Sequence, residues 1–267
     1  MFKTAWRRHC LALNNGLSNT SCMHETSPAP MIALLAPLFQ GEWAAYGETL
    51  ACAPRWPAEA IPVARLCQDT AMLRQTIARY AARLGVDGDG GADLRPAASA
   101  WSLDYLGALL APAAAAASVL QHAFPLGAAD LALTLDRLGA PARFHLVDQG
   151  RALPGSPTLE RYGPLLREHL APLFEAIGGQ TRLPPKILWA NAARKLDEVL
   201  VQALALTGGA PRVGIDRDQL LHRQAHADGG ANPLYGRPSP LHRHCCLRYQ
   251  LPGQSYCGAC PHAAHRP

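Results

Sequence analysis

Apolar residues recur at three- and four-residue spacing over most of the chain, the period of helices with one buried face. Over 63–84 the set is Val63, Leu66, Cys67, Thr70, Leu73, Ile77, Tyr80, Ala81 and Leu84, with Gly85 placed to close a helix. Cys67 lies on that buried face, where core packing accounts for it. Leu34, Leu35, Leu38, Phe39, Trp43 and Tyr46 predict an earlier helix over 31–51, ended by Pro54, Pro57 and Pro62. A long apolar helix is expected over 98–122, with Trp101, Tyr105 and Leu106 toward the core and Pro112 as a kink. Leu159, Tyr162, Leu166, Leu170, Leu173 and Ile177 predict a helix over 158–177, ended at Gly178 and Gly179. Another spans 185–206 and is closed by paired glycines. Trp189 and Asn191 near its start are candidates to line a pocket, or equally a core tryptophan and a polar helix-face residue. Asp216 reads as the cap of a short helix to about 225, with Gln219 completing a capping box.

The period changes once. Leu131, Leu133 and Leu135 alternate with small or polar residues, which is a strand with one buried face. Gly139 to Pro141 turns the chain, 143–147 returns as a second strand, and Asp148-Gln149-Gly150 turns it again. His145 within this hairpin is expected to be a satisfied strand histidine. The fold class is therefore α+β: predominantly helical with a small antiparallel sheet, the hairpin lying near 130–153. Residues 1–30 read as a poorly ordered arm, 31–240 as the main helical domain and 241–267 as a C-terminal segment packed on it. The run 87–96 is a connector; its carboxylates lack the glycine and closing glutamate of a calcium loop.

Composition supports one large core: 49% of residues are hydrophobic and only 17% charged. Four of the five net positive charges fall after Gly208, where seven arginines face three aspartates without a lysine. That basicity lacks the lysine runs and aromatic interleaving of a nucleic-acid surface, so no nucleic acid is expected as partner. No uninterrupted apolar stretch of spanning length is seen, and the first residues are too polar for a secretory signal. A cytoplasmic protein is the expectation, with thiols kept reduced. No glycine-rich dinucleotide fingerprint follows a predicted strand, so reducing equivalents would come from outside the chain.

Candidate chemistry is concentrated in one stretch, from His242 to His262. Cys245 and Cys246 are adjacent, ten residues follow, and then come Cys257 and Cys260, with Leu251-Pro252-Gly253 as a turn between the pairs. Four thiols so close in sequence are a ligand set for a metal centre. A tetrathiolate zinc site is one reading, and a disulfide framework is another if the compartment is oxidising. Adjacent cysteines suit one zinc ion poorly because neighbouring side chains diverge, whereas a binuclear cluster accepts thiolates from two directions. Spacing alone leaves zinc and cluster both open. The remaining cysteines, Cys10, Cys22 and Cys52, receive no role.

The string CCLRYQLPGQSYCGAC resembles the C-terminal signature of the FhuF-type ferric siderophore reductases, Cys-Cys, ten residues, Cys-x-x-Cys. Leu247-Arg248-Tyr249 and Gly258 agree with it. Upstream, Trp-Ser-Leu-Asp-Tyr-Leu from Trp101, Leu-Trp-Ala-Asn over 188–191 and Asn232 to Tyr235 are looser likenesses. The resemblance implies that Cys245, Cys246, Cys257 and Cys260 ligate a [2Fe–2S] cluster, which passes an electron to ferric iron held by a hydroxamate-type siderophore. It implies an external donor as well, a ferredoxin or a flavin or NAD(P)H reductase, and is compatible with peripheral contact at the inner membrane. Arg243 and Arg248 would then offset the charge of the cluster and raise its potential. His244 would hydrogen-bond a sulfur or take up a proton, and Tyr249 and Tyr256 would shield the site or stack on the ligand. For each of these residues, exposed surface charge or plain packing is the competing reading. The alternative function is a non-enzymatic, zinc-stabilised domain that binds siderophores or a protein. A siderophore-synthesis enzyme is disfavoured by length and by the lack of a nucleotide-binding signal.

Overall fold

A computed structural model describes residues 31–86, 92–236 and 239–262. The expected N-terminal arm, with Cys10 and Cys22, and residues 87–91 of the connector lie outside the described residues. Residues 31–51 do not form one helix. Pro37 withholds a backbone donor and Gly41 takes φ +57, so turns lead to a 3₁₀ turn (Gly41–Trp43) and a one-turn helix α1 (Ala44–Gly47). Strand β1 (Leu50–Cys52) follows, and then β2 (Ile61–Pro62).

The 63–84 pattern yields two helices, α2 (Val63–Gln68) and α3 (Thr70–Arg83). Asp69 leaves helical geometry at ψ 88, and its carboxylate accepts from the Met72 amide as the cap of α3. Gly85, at φ +74, closes α3 as expected. Helix α4 (Arg95–Ala114) runs through the centre and passes into a π turn (Ala115–Val119). Arg95–Val119, although interrupted by Asp104, is long and apolar enough by length and composition to cross a membrane; 72% of its apolar window is buried inside the fold, as in a core helix.

Strands β3 (His122–Ala123), β4 (Leu131–Leu135), β5 (Pro141–Leu146) and β6 (Arg151–Ala152) follow. The expected hairpin is β4–β5, with Leu133 opposite Phe144 and Leu131 opposite Leu146. The sheet is larger than expected and mixed, in the order β1-β5-β4-β2, with β1 parallel to β5; β3 and β6 form a second, two-stranded sheet. His145 is bonded to Thr134 Oγ1 at 2.8 Å, a satisfied strand histidine.

Helix α5 (Thr158–Gly163), a π segment (Pro164–Leu170) and α6 (Ala171–Thr181) form one continuous run. It passes through Gly178 and Gly179 and ends at Arg182, which adopts φ 59. Helix α7 (Pro185–Leu206) has the expected bounds, closed by Gly208 and Gly209 at positive φ. Helix α8 (Pro211–Arg217) continues into a π turn (Asp218–His222). Asp216 is therefore inside a helix rather than capping one. It is fully buried, gripped by Arg161 Nη2 at 2.6 and 2.7 Å and by the hydroxyls of Thr158 and Ser118.

The core forms where α4 packs along α7, α3 and the sheet. Trp101 donates its indole N–H to the Gly139 carbonyl in the hairpin turn at 2.9 Å, and Tyr105 meets the Phe144 ring edge-on at 4.9 Å. Tyr105 also donates to Nε2 of fully buried His169 at 2.5 Å, while Nδ1 of that ring donates to the Leu126 carbonyl at 2.9 Å. Both partners suit a neutral imidazole, and burial pushes the His169 pKa down to about 4. The unfolded chain binds this proton near pH 6.5 and the folded chain resists it to about 4, so stability falls as pH drops through that window. Urea unfolding across it should show a loss of up to about 1.4 kcal/mol per pH unit, and His169→Gln should flatten that slope.

Candidate iron–sulfur site

The C-terminal segment is pinned to the helical body before its cysteines are considered. Leu251 is buried in the main core, Pro252 sits against Gly85 at the end of α3, and a 3₁₀ turn (Arg248–Gln250) rests on α4. Asn232 shapes the approach: its amide donates to the carbonyls of Leu220 and Arg223 and its oxygen accepts from the Leu234 amide. The two arms of the loop are tied by the His242 amide donating to the Ala259 carbonyl at 2.8 Å. Leu247 reverses the chain directly after the adjacent cysteines, at φ 60. Gly253, at φ +68, completes the Leu-Pro-Gly turn.

This fold-back brings the four expected cysteines together. Cys245 Sγ lies 3.7 Å from Cys260 Sγ, and Cys246 hydrogen-bonds Cys257. The divergence of neighbouring side chains is thus put to use, since each adjacent cysteine finds a different partner. Two thiolates on one tetrahedral centre with metal–sulfur bonds of ~2.3 Å stand ~3.8 Å apart, so the observed pair has the bite for one metal. Among the described residues no three His, Cys, Asp or Glu side chains converge on a common point for a single ion. The four thiols of this loop are the candidate donors for a metal centre. The six described cysteines are free thiols.

Burial, followed by the neighbouring cysteines, raises the Cys245 thiol to about 11, although the Leu247 amide donates to its sulfur at 3.4 Å. Burial and the neighbouring cysteines raise Cys257 to about 11 as well. These groups hold their protons at neutral pH, and a cation must displace them to gain the thiolates.

The other expected residues surround the loop in different ways. Arg243 donates to the Tyr235 carbonyl at 2.7 Å and Arg248 to the Gln254 side chain at 2.8 Å, so both brace the segment. Tyr249 and Tyr256 stack at 4.6 Å with planes 18° apart, and His262 lies beside Tyr249. His244 is half-buried, its pKa lowered by burial and by the charges of Arg243 and Lys186. On α7, Asn191 is a pocket candidate from the sequence, whereas Arg194 has no role there. Arg194 places its charge beside Cys257 and His242, and Asn191 accepts from it at 2.5 Å. Their three-residue spacing on a helix is the only signal the sequence carries of this contact. Trp189 is a packing residue, edge-on to Phe174 at 4.9 Å.

Comparison with known proteins agrees with this geometry. The family model "Ferric iron reductase FhuF-like transporter" matches residues 99–249, and "FhuF 2Fe-2S C-terminal domain" matches residues 243–262. The ferric siderophore reductase of Escherichia coli (strain K12) is 26% identical over 173 residues, which cover 62% of this chain. The matched part spans 65% of that relative's length. Among solved structures, ATP-bound aerobactin synthetase IucA from a hypervirulent Klebsiella pneumoniae aligns with 67% of this chain and 37% of its own, at TM-score 0.49 and 18% identity. The chain belongs to the FhuF-like ferric iron reductase family, and its C-terminal segment is that family's [2Fe–2S] domain.

Proposed function

We propose that this chain reduces siderophore-bound ferric iron to ferrous iron, with Cys245, Cys246, Cys257 and Cys260 as the cluster ligands. The observation that carries the reading is the gathering of the four thiols in one loop, with Cys245 Sγ 3.7 Å from Cys260 Sγ. When bound, a [2Fe–2S] centre supplies one-electron transfer. The residues of the chain do the rest. The four cysteines, three of them buried, would hold the centre in a loop whose Leu251 is fastened into the core. The Leu247 amide hydrogen-bonds the Cys245 sulfur and so favours the thiolate. Tyr249 and Tyr256 stack on each other within the same segment.

Ferric iron is hard and highly charged, and oxygen ligands grip it tightly; ferrous iron is held far less well. One electron therefore frees the metal without breaking a bond in the carrier. A hydroxamate-type siderophore is the substrate class we assign, with release in the cytoplasm. The electron comes from an external ferredoxin or a flavin or NAD(P)H reductase, with peripheral docking at the inner membrane.

Anaerobically purified protein should be coloured, with two irons and two acid-labile sulfides per chain, as a [2Fe–2S] domain requires. After reduction with dithionite it should be reoxidised by a ferric hydroxamate, with ferrous iron trapped by a chromogenic chelator. A colourless preparation rich in zinc would overturn the reading in favour of a structural metal.

A further inference from the structure

We propose that the cavity between the start of α5 and helix α8 is the binding site of the iron carrier, and that it takes a ferric chelate of no net charge. This rests on the iron reduction proposed above. The cavity holds about 700 Å³, inside the ~300–1,000 Å³ of small-molecule sites. Leu159, Ile215 and Leu220 give it apolar wall, and Ile215 is left 44% exposed there. Gly214 lines it too, from inside α8, where glycine is destabilising relative to alanine. Packing does not call for that glycine: a Cβ would meet no heavy atom within 4 Å, and its φ is not positive. What the missing side chain leaves is room in the cavity.

The charge of the lining is balanced. Its two charged side chains, Asp218 and Arg223, bond each other, with Nε and Nη2 of the arginine each 2.8 Å from one carboxylate oxygen. His226 is neutral at neutral pH, its pKa lowered by burial and by the charge of Arg167. Ferric iron held by three hydroxamates, each a monoanion, is neutral as well. Three catecholates, each a dianion, leave a trianion, for which this lining has no surplus cation. Neutral polar groups beside apolar wall suit the amide and hydrocarbon surface of a trihydroxamate.

The cavity wall is hydrogen-bonded to the approach to the cysteines. The Asn232 amide donates to the carbonyls of Leu220 and Arg223 at 2.9 and 2.8 Å, and the Gly236 N–H donates to the Leu221 carbonyl at 3.0 Å. Between those two ties, the Tyr235 carbonyl accepts from Arg243 at 2.7 Å. Arg243 is followed, after His244, by Cys245. One short course of hydrogen bonds therefore joins the wall of the cavity to the strand of chain that carries the first two cysteines.

Calorimetric titration of the full chain with gallium(III) desferriferrichrome, a neutral trihydroxamate chelate, tests the inference. Gallium(III) keeps the charge of ferric iron and is not reduced, so binding is read without electron transfer. Wild-type protein should bind it, and Gly214→Phe, which fills the cavity, should weaken that binding by about tenfold or more. Gly179→Phe, at an equally open helix position on α6 outside the cavity, should bind as wild type does. Hydrogen–deuterium exchange of the wild-type protein should slow over 211–227 when the complex is added. No binding by wild type, equal binding by Gly214→Phe, or slowing confined to other segments overturns the site. If Gly214→Phe does not fold, the exchange result decides. Binding as expected by protein that holds no labile sulfide would instead sink the reduction reading, a result distinguishable from these.

Discussion

Cys246→Ser protein should purify colourless, with iron and acid-labile sulfide falling from two of each per chain to near zero. Cys246 is buried, 3% exposed, and bonded to Cys257, so it has no route by which another ligand from solvent could take its place. A serine hydroxyl is harder and far less acidic than a thiol, and its alkoxide is a poor donor to iron in a sulfur environment. Losing one of four ligands leaves one iron with a single protein donor, and binding energies for such sites are large enough that occupancy collapses. Cys67→Ser is the control. Cys67 is half-buried on α2, its thiol pushed up to about 11 by burial alone, and it is not part of the loop. That variant should keep its full iron and sulfide. Equal loss in both variants would mean that the bleaching reports general damage rather than ligation.

Asp216→Ala should cost about 3–5 kcal/mol of folding stability, the range expected when one partner of a buried ion pair is removed. Neither Arg161 nor Asp216 exposes any side-chain surface. The carboxylate accepts from Arg161 at 2.6 and 2.7 Å, from Thr158 at 2.6 Å and from Ser118 at 2.8 Å, and Arg212 approaches to 3.6 Å. It therefore joins α5, α8 and the π turn that ends the central helical run. Truncation leaves the Arg161 guanidinium buried with only Ser156 as acceptor. Thermal unfolding should fall by roughly 10 °C, at the 2–4 °C per kcal/mol typical of a chain this size. A shift of a degree or two would mean that water enters and solvates the cation.

The readability of these elements from sequence follows the distance over which their causes act. Helix α7 is legible to the residue because its boundaries are local: Pro185 at the start and Gly208 and Gly209 just past the end. The cysteine loop is legible for the same reason, since every ligand candidate and the turn between them lie in one short stretch. The break at Asp69 is hidden because the apolar period runs straight through it; the Asp-Thr pair that caps α3 is its only local mark. Strands β1, β2, β3 and β6 are two or three residues long, too short for alternation to register, and exist only through their partners. Asp216 looks like a cap in sequence, and only the arrival of Arg161, 55 positions away, makes it a core ion pair.

The tie between Cys245 and Cys260 spans fifteen positions. Closing so short a loop costs little chain entropy, so the sulfurs can be gathered without waiting for distant parts of the molecule. Seating the loop on the body, by contrast, needs Leu251 to reach the core and Pro252 to reach the end of α3, far upstream in the chain. Gathering the thiols and docking them are therefore separable events.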